Sequence, residues 1–125
     1  ILYFRNKIMT WVSLFYVSSQ DFDGDIKSLK TVFSQFEKQI HQNDGYRFSP
    51  EAEFAMGWCF YTIYVKIGFI KKLVEYNHIR DPKVKDEKAI LKIVQNYLKM
   101  QKSKARIKFD RDKPTLGGYY HWLLR

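Results

Sequence analysis

The densest run of chemically capable side chains is Lys99-Met100-Gln101-Lys102-Ser103-Lys104-Ala105-Arg106-Ile107-Lys108, with five cations and no acid in ten positions. Cations at that density suit the phosphates of an extended polyanion, because each neutralised phosphate releases counterions. Arg111 prolongs the run and Lys71-Lys72 adds a second basic pair. Lys71, Lys72, Lys99, Lys102, Lys104, Arg106, Lys108 and Arg111 are therefore the candidate nucleic-acid-binding set. On a continuous helix Lys99, Lys102 and Arg106 share one face by three- and four-residue spacing, and Lys104 and Lys108 share another. A groove-like contact then requires the helix to end or bend near Ser103. Tyr119, Tyr120 and Trp122 follow closely, and they either stack bases or plug the end of a bundle or a partner's surface.

Other reactive types are present without the spacing that chemistry needs. Asp21, Asp23 and Asp25 alternate as in a calcium loop, but position 26 is Ile where the loop needs glycine. The twelfth loop position is Val32 in place of a bidentate carboxylate, so the three acids read as a capping cluster. Cys59 sits in the most apolar stretch, where a free cysteine is an inert small hydrophobe. His41, His78 and His121 lie at expected helix ends or in the tail, where the dipole favours them. Three histidines and one cysteine, scattered, give no zinc spacing. Gly117-Gly118 lacks the frame of a phosphate-cradling loop. No catalytic group, metal or cofactor is expected.

The elements that must position the basic set are read from 125 residues and 15.1 kDa, the size of one domain. Hydrophobic residues at 46% exclude a disordered chain, and a single cysteine excludes a disulfide-stapled scaffold. The net charge of +9 is segregated: residues 1–65 hold six basic and seven acidic side chains, residues 66–125 sixteen and six. Such asymmetry points to a polyanionic partner for one face, nucleic acid or an anionic membrane surface. Ile1, Phe4, Ile8, Trp11, Val12 and Phe15 recur at three and four and predict a first helix. Ile26, Leu29, Val32, Phe33, Phe36 and Ile40 predict a second, stopped by Asn43-Asp44-Gly45. Ser49-Pro50 is read as the cap of a third, apolar nearly all round from Phe54 to Ile70 and hence central, with Phe54, Trp58, Tyr61 and Val65 buried. Asp81-Pro82 is read as the start of a fourth, striped by Ala89, Ile90, Ile93, Val94, Tyr97 and Leu98. Arg106 to Phe109 alternates like a strand but is too short to found a sheet. The expectation is all-α: one domain over residues 1–125, a compact bundle of four to five helices.

Arg5-Asn6-Lys7 before Ile8–Val17 outlines a signal peptide, which Trp11 and Tyr16 argue against. The run from Phe54 to Ile70 is short for a membrane span and contains Lys66, so no membrane partner is expected. Position 1 is Ile, so the chain is read as a processed product or a segment of something longer.

Glu53-Phe54-Ala55-Met56-Gly57-Trp58-Cys59-Phe60-Tyr61, after an acidic Ser-Pro-Glu start, resembles the Phe-Ala-x-Gly-x-x-x-Tyr helix in the C-terminal helical part of large subunits of CRISPR type I-B effector complexes. Size, expected helical make-up and basic balance are also similar to the small subunits of Class 1 effector complexes. Within a buried helix, Gly57 would permit close helix contact. The resemblance implies a non-catalytic, cytoplasmic subunit of a guide-RNA complex, partnered by other subunits, whose basic face holds the backbone of R-loop strands while base pairing reads sequence. The alternative is a helical protein–protein interaction module of another assembly, its lysines merely solubilising.

Overall fold

The computed structural model describes residues 10–50 and 52–112. In chain order its elements are β1 (Trp11–Ser19), α1 (Phe22–Ile40), β2 (Tyr46–Phe48), β3 (Glu53–Ala55), β4 (Trp58–Lys66), α2 (Ile67–Arg80), α3 (Lys88–Met100) and β5 (Arg106–Phe109), closed by a 3-10 turn over Asp110–Asp112. The strands form one antiparallel sheet in the order β2-β4-β1-β5, and β3 pairs with β4 beside that path. Helical crossovers join β1 to β2 and β4 to β5, which is the split β-α-β arrangement. The all-α bundle expected from periodicity is thereby overturned: the architecture is a mixed one of sheet and helices.

The two central strands explain the error. β1 has an irregular register between Ser13 and Phe15, so Val12 and Phe15 both pair on the inward side across a gap of three. A bulge of that kind imitates helical spacing inside a strand. In β4, Cys59, Tyr61, Ile63 and Val65 face inward and are buried, while Phe60 on the opposite face is buried too. A strand enclosed on both sides loses its alternation and reads as a continuous apolar run. The signal against a helix was composition: Tyr61-Thr62-Ile63-Tyr64-Val65 is all β-branched or aromatic.

The segment taken for the start of the central helix is a β-hairpin. Met56 and Gly57 turn it with positive φ, 54° and 83°, as a two-residue hairpin turn requires. A Cβ on Gly57 would meet nothing within 4 Å, so this glycine serves the turn and no helix contact. Phe54 is 75% exposed and Trp58 only half-buried, against the expected burial of both; Tyr61 and Val65 are buried. Ser49-Pro50 lies in a loop, and Asp81 ends α2 rather than starting α3. Arg106–Phe109, read as too short for a sheet, forms its edge by pairing with Phe15–Ser18.

The second and fourth expected helices are present as α1 and α3. Asp21 caps α1 by accepting from the Gly24 amide at 3.2 Å, and Asp23 and Asp25 complement the dipole in its first turn. His41 closes it in the left-handed conformation, with the Gln42 amide returned to the Glu37 carbonyl. Gly45 then passes under α2 so closely that a Cβ would overlap the Phe69 ring. Leu29, Val32, Phe33 and Phe36 of α1, Phe69 and Leu73 of α2, and Ile90, Val94 and Leu98 of α3 join the inward residues of the sheet in one core. All three described helices thus load one face of the sheet, and the opposite face is helix-free among the described residues. On the other face Tyr16 and Phe60 form a separate buried pair, with Trp58 against it.

Candidate nucleic-acid interface

The register sorts side chains onto the two faces, since successive residues of a strand point to opposite sides. The helix-free face receives Trp11, Ser13, Tyr16 and Ser18 from β1 and Arg47 from β2. It receives Trp58, Phe60, Thr62, Tyr64 and Lys66 from β4, and Arg106 and Lys108 from β5. Cations and aromatic rings are mixed on this surface. None of these strand positions is acidic, but Ser13 Oγ donates to Asp110 Oδ2 at 3.0 Å, which brings one carboxylate to the β5 end of the face. The short β3 adds an exposed Glu53 at the rim.

The eight expected cations are divided by the fold. Arg106 and Lys108 stand on the helix-free face, where the Arg106 guanidinium carbon lies 5.3 Å from the Trp58 ring centroid. Lys99 is exposed in the last turn of α3, and Lys102 and Lys104 are exposed on its connection to β5. No carboxylate pairs with these three among the described residues. The helix ends at Met100 and Lys102 turns with φ 58°, so Lys99, Lys102 and Arg106 do not share a helical face. Lys99, Arg106 and Lys108 instead line one groove along α3 and the β5 edge. Lys102 and Lys104 line another beside Asp21 and Asp25, whose carboxylates offset part of their field. Arg111 is committed to Glu87 at 3.4 Å and lies over the Phe109 ring at 4.4 Å. Lys71 and Lys72 are exposed on α2, in the helical layer, and Lys71 shares its groove with Glu75, Asp86 and Glu87.

Two cations of the helix-free face escaped sequence reasoning: Arg47 and Lys66. Arg47 is isolated among apolar neighbours, and Lys66 counted only as an interruption in an apolar helix. Reading Trp58-x-Phe60-x-Thr62-x-Tyr64-x-Lys66 with a period of two would have put Lys66 among the rings.

The remaining candidates find structural work. Cys59 faces the core, where burial raises its thiol above the ordinary range and keeps it from being a thiolate. Asp25 is buried and accepts from the Ser103 hydroxyl at 2.6 Å, which also accepts from the Ala105 amide at 3.0 Å. This tie holds the start of α1 against the turn before β5. His41 is the C-cap of α1, and His78 Nδ1 lies 2.6 Å from the Val84 carbonyl. Among the described residues no group of three His, Cys, Asp or Glu side chains could hold a metal ion. Nor is any described helix long and apolar enough to cross a membrane. His121, Gly117-Gly118, Tyr119, Tyr120 and Trp122 lie outside the described residues.

Comparison with protein-family models, curated proteins and solved structures finds no match to this chain. The residues that carry the CRISPR resemblance form the β3–β4 hairpin and the first half of β4, where the resemblance implies a helix.

Proposed function

We propose that the protein is a non-catalytic nucleic-acid-binding module that receives an extended polyanion on the helix-free face of its sheet. The observation that carries this reading is the composition of that face. Arg47, Lys66, Arg106 and Lys108 are interleaved with Trp11, Trp58 and Tyr64, with no acid on the outward positions of β1, β2, β4 and β5. Four-stranded sheets that bind single-stranded RNA use such a surface, stacking bases on outward rings while cations hold phosphates. Along β4 the accessible stretch runs from Thr62 to Lys66, about 13 Å at ~3.3 Å per residue, because Phe60 and the neighbouring Tyr16 are buried. The exposed Lys99, Lys102 and Lys104 continue the positive surface beyond the β5 edge.

The test is a salt titration of oligonucleotide binding by the whole chain. Replacing Arg47, Lys66, Arg106 and Lys108 with Gln should weaken binding of all sequences alike, because phosphate contacts carry no direct sequence information. On single strands each lost contact lowers the slope of log K against log salt by about 0.7, so the fourfold variant should lose close to 3. An unchanged slope would refute this face as the interface.

A second reading has its own observation. Phe54 of β3 and Met56 of the tight turn after it are 75% and 68% exposed. Apolar side chains presented in this way suit a pocket on another protein, as the subunit of an assembly would need. Loss of partner co-purification on Phe54→Ser/Met56→Ser, with oligonucleotide affinity intact, would support it.

A further inference from the structure

One end of the helix-free face holds a cluster that the charge pattern does not explain. Across β1, β4 and β2, Trp11 pairs with Lys66 and Tyr64 pairs with Arg47, so the register gathers two rings and two cations. The Arg47 guanidinium carbon sits 4.3 Å from the Trp11 ring centroid and 5.9 Å from that of Tyr64. Lys66 Nζ lies 5.3 Å from the same Trp11 centroid. Arg47 is exposed, while Trp11, Tyr64 and Lys66 are half-buried. No carboxylate pairs with either cation among the described residues.

Two like charges held over one indole repel each other, and the ring quadrupole offsets only part of that. An anion between them would relieve the repulsion. A guanidinium binds a phosphate through two parallel hydrogen bonds, and phosphate is the anion that the polyanion proposed for this face would bring. Once Arg47 turns to a phosphate, the ring face it now covers becomes available to a flat apolar group. The other end of the face offers no such group a place, because Tyr16 and Phe60 stack on each other at 6.1 Å and are each only 5% exposed.

We propose that Trp11, Tyr64, Arg47 and Lys66 form a base-stacking subsite that selects single strands over duplexes, the rings taking an unpaired base and the cations its flanking phosphates. This inference rests on the reading of the helix-free face as a nucleic-acid surface, and it adds the strandedness of the ligand. A duplex presents phosphates without an accessible base face, so it would engage the cations alone.

Three probes separate the contributions: a short oligo(dT), an abasic oligomer with the same number of phosphates, and a duplex. The wild-type chain should bind oligo(dT) about ten-fold more tightly than the abasic strand, the yield of a stacked base. Trp11→Ala and Tyr64→Ala should bring oligo(dT) down to abasic affinity without changing the salt slope, and Trp11→Phe should restore the discrimination. Abasic binding by these variants stays at the wild-type level if they are folded, which makes it the internal control for folding. Arg47→Gln with Lys66→Gln should weaken all three probes and reduce the slope. If the ring variants keep full preference for oligo(dT) while the Gln variants weaken every probe, the stacking subsite is wrong and the polyanion surface survives. If the wild-type chain binds none of the probes, both readings fall.

Discussion

Ser18 and Ser19 are adjacent on β1 and both fully buried, yet the pleat sends their hydroxyls to opposite faces. On the inward side Ser19 Oγ is hydrogen-bonded to Tyr61 Oη at 2.7 Å. On the outward side Ser18 Oγ has no partner among the described residues. A buried hydroxyl without a partner has lost its water and gained nothing in return. Ser18→Ala should therefore be neutral or stabilising by up to about 1 kcal/mol, whereas Ser19→Ala strands the Tyr61 hydroxyl and should cost about 1–3 kcal/mol. Urea midpoints decide between them, and equal midpoints would contradict this account of the two faces. The same pair makes a pH prediction. Burial is the main cause that pushes the Tyr61 phenol far above its ordinary value, and the Asp25 and Cys59 charges add to it against the Ser19 hydrogen bond. The folded state thus favours the protonated phenol. Its contribution is complete below the unfolded tyrosine value of about 10 and is lost as pH rises from there toward the folded value. Stability measured in alkaline steps should fall more steeply for wild type than for Tyr61→Phe, by about 1.4 kcal/mol per pH unit for one proton.

At the scale of elements, α1 and α3 were legible because each is a one-sided helix, although the start of α3 was misplaced at Asp81-Pro82 and only α1 carries local signals at both ends. The Asp21 cap and the Asn43-Asp44-Gly45 stop bracket α1, and α3 buries a clean stripe of Ile90, Val94 and Leu98. β1 and β4 were not legible, because a bulge in one and two-sided burial in the other removed the period of two. α2 starts at Ile67 straight from β4 with no capping side chain, so the join between strand and helix carries no local signal. The hairpin gives the sharpest discrimination between the two architectures. Phe54 in a central helix would be core, whereas Phe54 in β3 is 75% exposed. Phe54→Ala should change stability by less than about 0.5 kcal/mol, as surface substitutions do. Phe69→Ala, which empties the contact between α2 and Gly45, should cost about 3–5 kcal/mol. Thermal unfolding of the two variants is sufficient, and a large loss for Phe54→Ala would restore the helical picture.

At the scale of the whole molecule, the basic balance was legible and its location was not. Composition put the excess cations in residues 66–125, but the sheet recruits Arg47 from the other half and leaves Lys71 and Lys72 on the helical side. Net charge alone raises the local concentration of any polyanion and speeds encounter, with a range set by salt. Contact with phosphates does something different, because it fixes how many counterions are released. Equal changes of charge on opposite faces separate these effects. Replacing Lys71, Lys72, Lys83 and Lys85 with Gln removes four charges from the helical layer and the loop that follows α2, where all four side chains are exposed. The counterpart removes Arg47, Lys66, Arg106 and Lys108 from the helix-free face. If the face holds the ligand, the first variant should associate more slowly at low salt yet keep the wild-type salt slope for single strands. The second should lose a slope of nearly 3 at the same net charge. Equal slopes for the two variants, both below wild type, would mean that the protein attracts nucleic acid by its overall field and has no dedicated face.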